Sequence, residues 1–331
     1  MDLDAYASAR KPEWDRLAEL GRTGNFTGEE ADELIDRYQA GASDLSAIRT
    51  TVGESLAGDR LSLYLSRARL RFTGASVNVL SQLPSFFALQ LPAALYRIRW
   101  LCLVITVLSL AIGVIYGFWA ASDPRVFATL GDPATLKQYA EHDFVDYYSN
   151  QSGSMFTGFV WTNNAWLAAQ CIAFGIVGLY TPYLLFSNAQ SLGTAGAIME
   201  HYNQLDTFFL YIAPHGQLEL YSIFVAGAAG LRIFWSWIAP GHRTRLQALA
   251  EDGRALFTVV IGLILALLVS GIIEGNVTRQ AWPWPIKIGI GTIALGSFLF
   301  YQWFVGRRAV RAGETGDLEE FEAGAKQLVA G

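Results

Sequence analysis

Charge is scarce in this chain. Only 16% of its 331 residues are Asp, Glu, Lys or Arg, and 52% are hydrophobic; ordinary soluble proteins carry roughly a quarter charged residues. No part of it reads as a water-soluble enzyme. Cysteine is nearly missing: Cys102 and Cys171 each sit inside an apolar stretch. That excludes a disulfide framework or thiolate metal site and leaves two small buried hydrophobes. With four histidines and no H-E-x-x-H, the zinc-protease pattern is absent. So are the phosphate-cradling P-loop, the G-x-S-x-G elbow and the C-x-x-C dithiol. A net charge of -5 with no basic cluster excludes a nucleic-acid surface, which needs Lys and Arg to neutralise phosphates. The opening MDLDAYASARKPEW has no apolar core, so no cleaved signal peptide is expected and the first span should direct insertion.

What charge there is lies mostly in the first hundred and last twenty-five residues, with long apolar stretches between. The pattern predicts an all-α chain: a polytopic membrane bundle behind a soluble helical domain. Over residues 1–82, apolar residues such as Leu17, Leu34, Tyr38, Ile48 and Leu61 recur near a 3.6-residue period, which fits three helices. Thr27 followed by Glu30 matches a capping box at the start of the second. Trp14 and Tyr38 are expected to be packing anchors. Residues 83–99, LPSFFALQLPAALYRIRW up to Trp100, read as an amphipathic helix in the headgroup region. Five spans are clear, at about Trp100–Ala121, Ala165–Phe186, His215–Trp237, Leu256–Val277 and Trp284–Val305, each near the ~20 residues that cross a bilayer. Between the second and third, Asn188–Pro214 holds two shorter apolar pieces around EHYNQLD and reads as a broken span or re-entrant pair. The bundle thus occupies residues 100–306, and residues 307–331 are expected to be a flexible cytoplasmic tail.

Lys and Arg concentrate on the cytoplasmic side of short loops. Arg97 and Arg99, then Arg243, Arg245 and Arg254, then Arg307, Arg308 and Arg311 should all be cytoplasmic, with the acidic interval Ser122–Thr157 outside. This favours six passes with the third interrupted; a re-entrant segment would leave five and put the C-terminus outside.

Ionisable groups within spans are costly and normally face a protein interior or water-filled cavity. His215 and Glu219 in PHGQLELY stand four apart, on one helix face. Pro214 and Gly216 mark a backbone break and helix start there. Glu274 sits near the end of its span, Arg232 lies within the span of Glu219, and Asn163, Asn164 and Asn188 add amides that need partners. Three readings stay open. These residues pin the bundle together as a polar network; they line a route for a proton, ion or small solute; or they bind a metal ion, with His215 and Glu219 as candidate ligands. His142 and Asp143 are expected on a solvated face. Gly113 with Gly117 and Gly271 with Gly275 allow close helix crossing within one chain or between two, so a homo-oligomer stays open.

The run PHGQLEL (Pro214–Leu220), the block WTNNAW (Trp161–Trp166), IIEG (Ile272–Gly275) and the opening DLDAYASARKPEWDRL together resemble the stage II sporulation protein M family of bacterial membrane proteins, of the actinobacterial type. The resemblance implies a non-enzymatic component of the bacterial cytoplasmic membrane, N-terminus inside. It further implies a scaffold for other envelope membrane proteins in peptidoglycan remodelling; the lipid bilayer is the other expected partner, and no cofactor is expected. Transport of an ion or small solute by the intramembrane Glu and His residues is the alternative.

Overall fold

The structure, a computed structural model, describes residues 3–22, 27–53, 55–72, 83–149 and 153–316. Among them all regular structure is helical. Two units make up the chain, one ending at Leu83 and the other running from Pro84.

The first unit contains α1 (Leu3–Leu20), α2 (Gly28–Thr51) and α3 (Leu56–Phe72). Each contributes large aliphatic side chains to one core, including Leu17, Leu20, Leu34, Ile48 and Leu61. The capping box forms as expected: Thr27 Oγ1 accepts from the Glu30 N–H, and the Glu30 carboxylate accepts from the Thr27 N–H. Trp14 is buried in the core and Tyr38 packs partly buried against it. The unit also holds a buried carboxylate, Asp44, which accepts from Tyr6 Oη at 2.7 Å and Trp14 Nε1 at 3.0 Å and has Arg10 Nε at 3.7 Å. Burying Asp44 is tolerable because its donors are buried with it.

The second unit is a helical membrane bundle. Four of its helices are long and apolar enough to cross a membrane: α5 (Arg99–Ser122), α8 (Leu205–Ile238), α9 (Arg245–Ile273, prolonged by a π-helical turn to Thr278) and α10 (Trp284–Phe300, prolonged to Arg311). The chain is thus a multi-pass membrane protein. Two further long helices, α6 (Gly153–Ala173) and α7 (Tyr180–His201), are more polar; α6 packs against α8 and α9, and α7 against α5 and α8.

Four expectations need revision. The second span, expected at Ala165–Phe186, is divided. α6 ends at Ala173, a short 3₁₀ turn follows at Gly175–Val177, and the chain reverses through Gly178 at φ 75°. Hydropathy cannot see this reversal because the turn is as apolar as its flanks. The break expected at Pro214 and Gly216 is absent, since α8 runs unbroken through both; the interruption falls earlier, at Tyr202–Gln204. Pro214 removes a backbone donor within the helix. Close by, the Gln217 amide donates to Ala213 O at 3.0 Å and Ile288 O at 3.3 Å, tying this turn of α8 to α10.

The headgroup helix is replaced by a buried wedge. α4 (Leu91–Arg97) buries Leu91 to Leu95 in succession, so this run has no solvated face. Gln302 Nε2 donates to Leu95 O, and a Cβ on Gly262 would collide with Leu91. The expected tail begins late as well. Residues 306–311 are helical, Thr258 Oγ1 donates to Gly316 O at 3.0 Å, and Arg97 Nη1 donates to Thr315 O at 2.8 Å. Residues 317–331 lie outside the described residues.

Both glycine pairs are used within the chain. A Cβ on Gly117 would come 2.9 Å from Gly193 O of α7, and one on Gly271 would come 3.3 Å from Thr157 O of α6. The arginines at the helix ends gather. Arg97, Arg232 and Asp252 line one small cavity, and Asp252 is shared by Arg232 at 3.4 Å and Arg243 at 3.2 Å.

Candidate functional site

α8 and α9 lie side by side, and their facing surfaces carry the ionisable residues. The four-residue spacing puts His215 and Glu219 on the face of α8 toward α9, and the π-helical turn ending α9 presents Glu274 and Thr278. One ligand-capable atom each of His215, Glu219 and Glu274 lies within 4.8 Å of the others. His215 Nε2 faces Glu274 Oε1 at 3.6 Å, and Nδ1 lies 3.2 Å from Thr278 Oγ1. Ser270 Oγ is 3.1 Å from His215 O and 3.4 Å from Glu219 Oε2, and its single proton must be divided between them. The Asn164 side chain, from α6, approaches Glu219.

The cluster has too few donors. Glu274 is 3% exposed, and its Oε2 has no hydrogen-bond partner among the described residues. If His215 Nδ1 donates to Thr278, the Nε2 lone pair points at a carboxylate oxygen. If Thr278 donates instead, Nε2–H faces that oxygen from 3.6 Å, beyond hydrogen-bonding distance. In either tautomer the groups converge without closing on one another.

The cluster adjoins space. His215, Gly216 and Glu219 form part of the wall of a cavity of about 450 Å³, whose other walls include Asn188 and Ser191 from α7 and Asp143 and Tyr147 from the segment between α5 and α6. Burial, then the Glu274 and Glu219 carboxylates, push the Tyr147 and Tyr148 hydroxyls above their ordinary range. The Tyr148 ring lies 6.1 Å from the His215 ring and 5.1 Å from that of Tyr211, over which the buried Lys287 ammonium sits at 5.0 Å. Asn188, Leu192, Phe208 and Ile212 also line an apolar groove of about 680 Å³ between α5, α7 and α8.

The sequence-expected residues therefore divide. His215, Glu219, Glu274 and Asn164 meet, and Asn188 lines the cavity. Arg232 does not join them; it pairs with Asp252 in the arginine-rich group. Asn163 is exposed, one position out of phase with Asn164. Pro214 and Gly216 contribute as buried helical residues beside His215. Sequence reasoning missed Ser270, Thr278, Tyr147, Tyr148 and Lys287; Asp143 is exposed, as expected, and stands at the cavity rim. Glu274 with Thr278 repeats the i, i+4 spacing of His215 with Glu219, and that was the signal available.

Every member of the cluster, with Asn164 and Asn188, lies inside the stretch 106–279 that matches the family described as stage II sporulation protein M. Residues 4–74, the three-helix unit, match a separate domain of unknown function, DUF8413. Comparison with curated proteins and with solved structures gives no match. With more than half of its length inside that first match, the chain belongs to the stage II sporulation protein M family.

Proposed function

We propose that this protein is a non-enzymatic carrier of the bacterial cytoplasmic membrane, which admits a small cationic solute into the cavity above His215 and Glu219. The observation that carries this is the junction of an acidic cluster short of donors with a cavity of about 450 Å³. A network that only braced the bundle would have its polar atoms satisfied and its space filled. Ionisable residues in spans mark solute routes when they face such a cavity. The clustering of Arg97, Arg232 and Arg243 supports putting that end, and the N-terminus, in the cytoplasm. The cavity rim at Asp143 and Tyr147 then faces outward.

Ser191 on the cavity wall provides a test, because both native cysteines are buried. A Ser191→Cys protein in intact cells should react with a membrane-impermeant thiol reagent added outside, and reconstituted vesicles should show a cation flux that Glu219→Gln removes. A cysteine that stays unlabelled from outside, or a flux indifferent to Glu219→Gln, would sink the proposal.

A scaffold role in a peptidoglycan-remodelling complex is the second reading. It is favoured by the three-helix unit, which has its own core and its own family match. Cross-linking in native membranes that recovers envelope proteins on α1–α3 would support it; recovery of none would remove it.

A further inference from the structure

We propose that His215, Glu219 and Glu274 form a binding site for one divalent transition ion of the zinc class. This rests on the carrier reading only for what becomes of the ion, not for its binding. Three features carry it.

The first is charge. Two carboxylates enclosed together in a helical bundle need two positive charges or two protons, and one divalent ion supplies the former at a single point. Lys287 sits over the Tyr211 ring, and among the described residues no ion pair joins it to either carboxylate.

The second is geometry. Ligand atoms at ~2.0–2.2 Å from a tetrahedral ion stand about 3.3–3.6 Å from one another. His215 Nε2 and Glu274 Oε1 stand 3.6 Å apart, and the third ligand atom, from Glu219, completes a triangle no wider than 4.8 Å. One imidazole nitrogen with two carboxylates suits zinc, manganese or iron better than calcium or magnesium, which favour all-oxygen shells. Two of the three ligands, His215 and Glu219, line the cavity.

The third is the shell behind the ligands. A metal-bound imidazole usually donates its other ring N–H to a neighbouring acceptor, which fixes the tautomer. Thr278 Oγ1 sits at 3.2 Å from Nδ1, placed to accept that proton and leave the Nε2 lone pair for the ion. Ser270 and Asn164 hold Glu219 in the same way. Independently of all this, Glu274 Oε2 is buried and unpartnered among the described residues, so this carboxylate keeps an unused acceptor.

The test uses the full chain in detergent, carrying an affinity tag free of histidine, stripped with a chelator and titrated with Zn²⁺ alone. One zinc per chain by elemental analysis, and a zinc-dependent rise in melting temperature, are the expected results. His215→Gln and Glu274→Gln should lose both, and Thr278→Val should weaken binding by about 10-fold. If a Gln variant fails to fold, Thr278→Val and the zinc response of the unaltered protein still decide the matter. Zinc bound equally by wild type and Glu274→Gln, or not bound by wild type, overturns the site. Binding with no zinc flux in vesicles upholds the site and overturns carriage. Flux of another cation without zinc binding does the reverse.

Discussion

The two units bury acidic residues in opposite ways. In the three-helix unit Asp44 has a donor at each oxygen, from Tyr6 and Trp14, and Arg10 beside it. In the bundle Glu274 lies as deep, yet one oxygen has no partner and the other faces a histidine at 3.6 Å. Asp252, at the arginine-rich end of the same bundle, resembles Asp44, since Arg232 and Arg243 both reach it. Burial alone therefore does not mark a site. A buried carboxylate whose donors are buried with it is part of the architecture, whereas one left short of donors, in a cluster whose other members border a cavity, is waiting for something from outside. The units also differ in packing. Large aliphatic side chains fill the first core, while helices of the second meet backbone to backbone at glycines.

Substitutions can break or sharpen this contrast. The largest effect should come at Gly230, where a Cβ would overlap the Cys171 carbonyl; Gly230→Ala should cost about 3 kcal/mol or prevent folding. Gly41 in α2 meets only leucine side chains, at 3.3 Å, which can move, and Gly41→Ala should cost under about 1 kcal/mol. Thermal melts of the full chain, followed unit by unit through hydrogen exchange, measure both, and equal losses would dissolve the packing distinction. Next in size is Asp44→Ala, which strands the Tyr6 and Trp14 donors and should destabilise α1–α3 by about 2–3 kcal/mol. In zinc-free protein, Glu274→Gln should change bundle stability by less than about 0.5 kcal/mol, since it removes no hydrogen bond made by Oε2. A large loss there would make Glu274 as architectural as Asp44.

The smallest effect belongs to the surface of the first unit. Arg16, then Arg37, hydrogen-bond the half-buried Glu33 carboxylate and hold its pKa at about 2, below the ordinary 4.5. A depressed folded-state pKa adds stability above pH 4.5 that fades as the pH falls toward 2. Hydrogen exchange in α2 should therefore quicken slightly across that window. Glu33→Gln should abolish the pH dependence, and high salt should mask it. An unchanged slope in Glu33→Gln would assign it to other carboxylates.

What the sequence makes legible follows the range of the forces involved. The three helices of the first unit are local matters of periodicity and capping, and Thr27 with Glu30 marks its helix start without tertiary help. The spacing of His215 and Glu219 is local too, so one face of the site is readable. Its other face is not, because Glu274, Ser270 and Thr278 arrive on a different helix and only packing brings them within reach. Arg232 was misjudged for the same reason: it shares a helix with Glu219, but its partner Asp252 lies at the opposite end of α9 from Glu274. The hairpin at Gly175–Leu179 and the unbroken passage through Pro214 both depend on backbone geometry, to which average hydropathy is blind.

The α6–α7 hairpin has a consequence for how the protein is made. These two helices fall outside the four that are apolar enough to cross unaided. What fastens α6 into the bundle is synthesised after it: Thr157 Oγ1 donates to Gly271 O and Trp161 Nε1 to Ile264 O. As the chain emerges from the ribosome, α6 and α7 must be sheltered until α8 and most of α9 have followed. A nascent chain halted at His201 should accordingly remain with the insertion machinery or be degraded, whereas one halted after Thr278 has every contact the hairpin needs to leave for the lipid.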